Sequence, residues 1–84
     1  MNTEQLRIDF EKICKIIEWN PTDKDLINIS LEFETLLKQG EQLSIGKCQG
    51  IINKYCPDAL CMILDGVDNS DLNSLLTIAI KKSK

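Results

Sequence analysis

Along TEQLRIDFEKICKIIEW the apolar side chains Leu6, Phe10, Ile13, Cys14 and Ile17 recur three and four residues apart, with Ile16 at the edge of the same face. That period marks one buried stripe of a helix. Thr3 is a candidate N-cap with Glu4 in the first turn, and Asn20-Pro21 closes the segment because proline disfavours helical backbone before it. One helix is therefore predicted from Thr3 to about Trp19. Ile8 and Trp19 fall on its far side. Trp19 is expected to fold back over the helix end and cover a core edge, with a binding anchor as the alternative role.

A second helix is predicted from Thr22 to about Gln39. Thr22 and Asp25 form a weaker version of the capping box, Asp23 lies in the first turn, and Gly40 is a natural stop. Leu26, Ile29, Phe33, Leu36 and Leu37 make its main stripe. Ile27 and Leu31 make a second, shorter one, which either meets a neighbour in the core or becomes a self-association patch. A third helix starts at Ser44 and gathers Ile45, Cys48, Ile51, Ile52, Tyr55 and Cys56 on one side. Gly46 and Gly50 weaken it by about 1 kcal/mol each relative to alanine.

Pro57 suits the first position of a short fourth helix ending at Gly66. After DGVDNS, Ser70 can cap a last helix carrying Leu72, Leu75, Leu76 and Ala79, with Lys81 and Lys82 in its final turn. A rival pattern reads Ala59 to Leu64 as a strand pairing with the alternating Leu76, Ile78 and Ile80. The start signals at Pro57 and Ser70 favour helix. The expected fold is an all-α compact bundle of four to five short helices in one domain over residues 1–84. Three helices plus a C-terminal β-hairpin is the runner-up.

Composition changes this picture little: 84 residues, 43% hydrophobic and 27% charged, suit one globular core. The longest apolar run is Ala59 to Leu64, far below the roughly 20 residues of a membrane span. The N-terminal stretch carries acid and lacks the apolar run of a secretory signal, so a cytoplasmic protein is expected, with no membrane partner. Charge is more informative. The net value is −3, and the half from Met1 to Glu41 holds nine acids against five bases. With one arginine and no histidine, the commonest phosphate and base reader and the commonest general base are scarce or missing. Nucleic acid is therefore an unlikely partner, without being excluded.

Four cysteines invite a metal or redox reading, above all in NKYCPDALCMILDG. Of Cys14, Cys48, Cys56 and Cys61 only the last pair approaches the common zinc spacing, no histidine can complete a mixed set, and there is no C-x-x-C motif. Each lies in or beside an apolar stripe, so interior packing is the expected role. A four-thiolate site or a disulfide pair is the alternative. DGVDNSD is rich in oxygen ligands but does not follow the EF-hand spacing, and turn formation with helix capping accounts for it. No cofactor, metal site or catalytic residue is expected.

A protein of this kind acts through its surface. Acidic side chains steer and orient cationic partners. Glu11, Glu18, Asp23, Asp25 and Glu32, with Trp19, are the candidate partner-binding residues. The expected function is that of a small acidic binding protein, such as an inhibitor or immunity-type antidote that occludes a basic protein, for example a nuclease toxin. The alternative is a small helical DNA-binding regulator using the helix around Ser44–Cys56, which would present Lys47, Gln49, Asn53 and Lys54.

Overall fold

A computed structural model describes residues 2–63 and 71–84. Its elements are α1 (Thr3–Ile13), β1 (Ile16–Glu18), α2 (Asp23–Lys38), α3 (Ile45–Tyr55), β2 (Leu60–Cys61) and α4 (Leu72–Ser83). The fold is mostly helical, with four helices and one two-stranded antiparallel sheet among the described residues. This bears out a small helical bundle but adds a sheet that the all-α expectation lacked, and the runner-up has a strand within Ala59 to Leu64 but the wrong partner for it. The residues offered as a second hairpin strand, Leu76 to Ile80, lie inside α4, and β2 pairs instead with β1.

The predicted first helix is cut short. Cys14 still donates its N–H to the Phe10 carbonyl at 2.9 Å, but Lys15 adopts a left-handed backbone, φ 57°. From there the chain runs extended, so Ile16, Ile17 and Glu18 become a strand rather than another turn. A left-handed residue with a side chain costs about 1–2 kcal/mol. Several interactions offset that cost. Ile16 is buried, the Lys15 carbonyl accepts the Met62 N–H at 2.8 Å, and Gln49 reaches in from α3. Its amide nitrogen donates to the carbonyls of Cys14 and Met62, both at 3.1 Å. One side chain thus caps the end of α1 and holds the strand pair against it.

α2 forms as its local signals require. Thr22 Oγ1 accepts the Asp25 N–H and Asp25 Oδ2 accepts the Thr22 N–H, each at 3.1 Å, which completes the capping box. At the other end Gly40, with φ 74°, lets the Gly40 and Glu41 N–H groups return to the carbonyls of Leu37 and Leu36. Ser44 caps α3 through the Lys47 N–H. α1 is capped by Asn2 rather than Thr3, and α4 by Asp71. The Ser74 hydroxyl and N–H on Asp71 hold its carboxyl below the usual carboxylate range. Ser70, the expected cap, lies outside the described residues, as does the end of the short helix expected from Pro57. That helix does not start: residues 57–58 make a turn in which the Ala59 N–H returns to the Cys56 carbonyl, and β2 follows.

The helices enclose one core. Leu6 and Phe10 of α1, Leu26, Ile29 and Phe33 of α2, Cys48 and Ile52 of α3, and Leu72, Leu76 and Ile80 of α4 are all buried. Phe10 and Phe33 meet edge to face with ring centroids 5.4 Å apart, an arrangement aromatic quadrupoles favour. α1 packs chiefly on α4, and the Asn2 N–H donates to the Ser83 carbonyl at 2.7 Å. Asn73 of α4 fastens the connection between α2 and α3. It donates to the Glu41 carbonyl at 2.9 Å and accepts the Leu43 N–H at 3.0 Å.

The strained turn makes an unusual forecast. Lys15→Gly should stabilise the protein by about 0.5–1 kcal/mol, relief of the left-handed strain being partly offset by glycine's greater unfolded-state freedom. Gln49→Ala should destabilise it by about 1 kcal/mol or more, because the part-buried Cys14 carbonyl loses its donor. Urea unfolding followed by Trp19 fluorescence measures both, and a destabilised Lys15→Gly contradicts the strain account.

Candidate interaction surfaces

The six residues proposed for partner binding do not form one patch. Glu11 lies along α1 beside Arg7, at 3.8 Å. Glu32 faces α3, where it accepts from Lys54 at 2.6 Å and from the Tyr55 hydroxyl at 3.4 Å. That carboxylate raises the Lys54 ammonium above its ordinary range. Asp25 is committed to the cap of α2, and the Cys56 thiol approaches its Oδ2 at 3.9 Å. Asp23 accepts from the Thr3 hydroxyl at 2.9 Å, joining the starts of α1 and α2. Trp19 is half-buried and packs on the core, as the fold-back expectation has it, with its indole N–H shielded from water and unpaired. Its ring is therefore mainly core covering.

Glu18, Asp23 and Asp25 do share one end of the molecule. Glu18 stands opposite Leu60 in the strand pair, and Asp25 touches the turn that leads into β2. Exposed Asp58 lies on that same turn. None of these four acids makes an ion pair within the described residues, and Glu18 and Asp58 are also without the capping or hydroxyl bonds that engage Asp25 and Asp23. Between them stand aliphatic side chains in water: Ile17 is 61% exposed, Leu60 55% and Met62 46%, with Ile63 following at 91%.

These residues were absent from the sequence-based site. The helical period assigns Ile17 to the buried stripe, whereas the turn at Lys15 shifts it to the outside of a strand. The run Ile16-Ile17, β-branched and followed by Trp19, carried the one local signal for the first strand.

Ile27 and Leu31 lie one turn apart on the outer side of α2, 38% and 53% exposed. The glycines of α3 face open space: a Cβ built on Gly46 or Gly50 meets nothing within 4 Å. The two lysines of the candidate DNA-reading helix are engaged locally, Lys47 with Glu41 and Lys54 with Glu32.

Cys14, Cys48 and Cys56 are buried and Cys61 is half-buried, all as free thiols. The contact with Cys48, together with burial, pushes the Cys14 thiol far above its ordinary value, while the same contact lowers Cys48. Burial raises Cys56, with Asp25 adding to it, and raises Cys61 against a weak Asn53 contact. Neutral thiols of this kind are poor nucleophiles and poor ligands. Among the described residues no group of three or more cysteine and carboxylate side chains is arranged to hold a metal ion. The DGVDNSD segment, apart from Asp71, lies outside the described residues.

Comparison with known proteins brings no further constraint: no family model, no curated protein and no solved structure matches the chain.

Raised thiol values fix the sign of a pH effect. The folded state holds these protons more tightly than the unfolded chain, so the contribution is complete below the ordinary thiol value of 9.0 and is lost as pH rises beyond it. Labelling with an aromatic disulfide reagent at pH 8 should modify Cys61 first, with the other three reacting only upon unfolding in urea. Rapid native labelling of Cys14 or Cys48 would exclude the core assignment.

Proposed function

We propose that the protein is a small non-catalytic binding module that docks a basic protein partner through the end built from β1, β2 and the start of α2. The observation that carries this reading is the mixture of exposed Ile17, Leu60 and Met62 with Glu18, Asp23 and Asp58 at that end. Exposed aliphatic area supplies the desolvation energy of an interface, and flanking carboxylates supply steering and register toward a cationic surface. The most definite version is an inhibitor or immunity-type antidote, working in the cytoplasm, that occludes the cationic groove of a nuclease-like toxin. Its net charge of −3 favours such an encounter.

Two other readings carry less support. A DNA-binding role for α3 is weakened because its lysines are paired and Gln49 is consumed by two carbonyls. The connection from Gln39 to Ser44 is also longer than the three- or four-residue turn of a helix-turn-helix. Self-association through Ile27 and Leu31 rests on their exposure alone. A concentration-independent monomer in sedimentation would remove it.

Affinity capture from the native cell, followed by association kinetics on the captured partner, tests the main reading. The partner should be basic, and association should slow about tenfold or more between low and physiological salt. Glu18→Lys with Asp58→Lys should slow association, while Ile17→Ala with Leu60→Ala should speed dissociation, all four substitutions leaving the urea midpoint nearly unchanged. An acidic partner, or binding indifferent to both sets, sinks the proposal.

A further inference from the structure

A second surface has the opposite chemistry. Between the C-terminal half of α1 and α4 lies a cavity of about 300 Å³. Ile13 and Ala79 contribute to its apolar lining, and Leu75 and Ile78 line it while 42% and 56% exposed. Lys12, Lys15 and Lys82 line the same groove.

The lysines there differ from most others in the chain. Arg7, Lys38, Lys47, Lys54 and Lys84 each pair with a carboxylate, whereas Lys12, Lys15 and Lys82 make no ion pair among the described residues. Lys24 and Lys81 also make no ion pair among the described residues, so three of the five such cations line this one aliphatic groove. The one acid lining it, Asp9, turns Oδ1 to the Gln5 amide at 3.0 Å. Its Oδ2 is shielded from solvent and has no hydrogen-bond partner among the described residues. A shielded carboxylate oxygen without a donor is costly, and a donor supplied by an occupant would remove that cost.

The occupant must therefore bring three things: aliphatic side chains for Leu75 and Ile78, acidic groups for the lysines, and an N–H for Asp9. A nucleic-acid backbone lacks the first and the third. A fatty acid lacks the third. A peptide segment has all of them. We infer that the α1–α4 groove is a docking site for an acidic, aliphatic peptide segment of a second protein. The module then joins two partners of opposite charge, one at the strand-pair end and one here, with Lys15 at the boundary between them.

The test uses isotope-labelled protein and a short, terminally blocked peptide of glutamate and leucine in amphipathic helical order. A lysine-for-glutamate version of the peptide is the control. The acidic peptide should bind saturably and shift the amide resonances of Ile13, Leu75 and Ile78. Affinity should fall about tenfold or more in Ile78→Glu and in the double variant Lys12→Glu with Lys82→Glu. Circular dichroism confirms folding; if Ile78→Glu is disturbed, Leu75→Ser and the lysine double variant decide the outcome. Equal binding of the lysine peptide, shifts confined to the strand pair, or affinity unchanged in the folded variants overturns the inference. So does binding of phosphatidylglycerol vesicles through these residues without binding of the acidic peptide, which assigns the groove to a lipid surface instead.

Discussion

The architecture depends on where α1 stops. Had the helix continued through Ile16 and Ile17, the chain would have no first strand, β2 would have no partner, and Cys14 would sit one turn from the helix end rather than at it. The stop is imposed by tertiary contact and not by a local breaker. Gln49 supplies the donor that the freed Cys14 carbonyl needs, and the same amide reaches Met62 across the strand pair. A carbonyl buried without a donor costs about 1–3 kcal/mol, which is comparable to the strain at Lys15. The bend and its fastening are therefore one interdependent unit.

Charge is distributed to match. Most carboxylates on the helices serve the fold: Asp25 closes a cap, Asp71 another, Glu32 and Glu41 link α2 and its connection to α3. Glu34 is held below the usual carboxylate range by Lys38 and Lys84, and so joins α2 to the end of α4. Such exposed pairs contribute little individually. Their larger effect is on what remains for a partner: carboxylates at the strand-pair end and ammonium groups beside α1 and α4. Net charge alone conceals this division.

What could be read from sequence was what is decided locally. Thr22, Asp25, Gly40 and Ser44 mark ends within a few residues of themselves, and α2 and α3 lie where those signals put them. The core stripes of Leu6 and Phe10, and of Leu26, Ile29 and Phe33, follow from spacing. β1 was not legible because it is too short to show a period, whereas β2 falls in the run Ala59 to Leu64 that could be read as a strand, though with another partner. Their pairing joins Ile16 to Cys61, and the capping bond from Gln49 spans 35 residues. The same distance effect governed the site. The acids were visible as acids, but Lys54, 22 residues from Glu32, determines that this carboxylate is already engaged. Ile17 followed the helical stripe on paper and became exposed only because the helix ended before it.

The contact of α1 with α4 has a consequence in time. These are the first and last helices of the chain described, and each buries its apolar stripe largely against the other. During synthesis Leu6 and Phe10 must therefore wait, on the order of seconds at ordinary elongation rates, until Leu76 and Ile80 have left the ribosome. α2 and α3 can offer only provisional shelter in that interval. Folding is thus completed only once α4 is available, and until then one side of the core stands open.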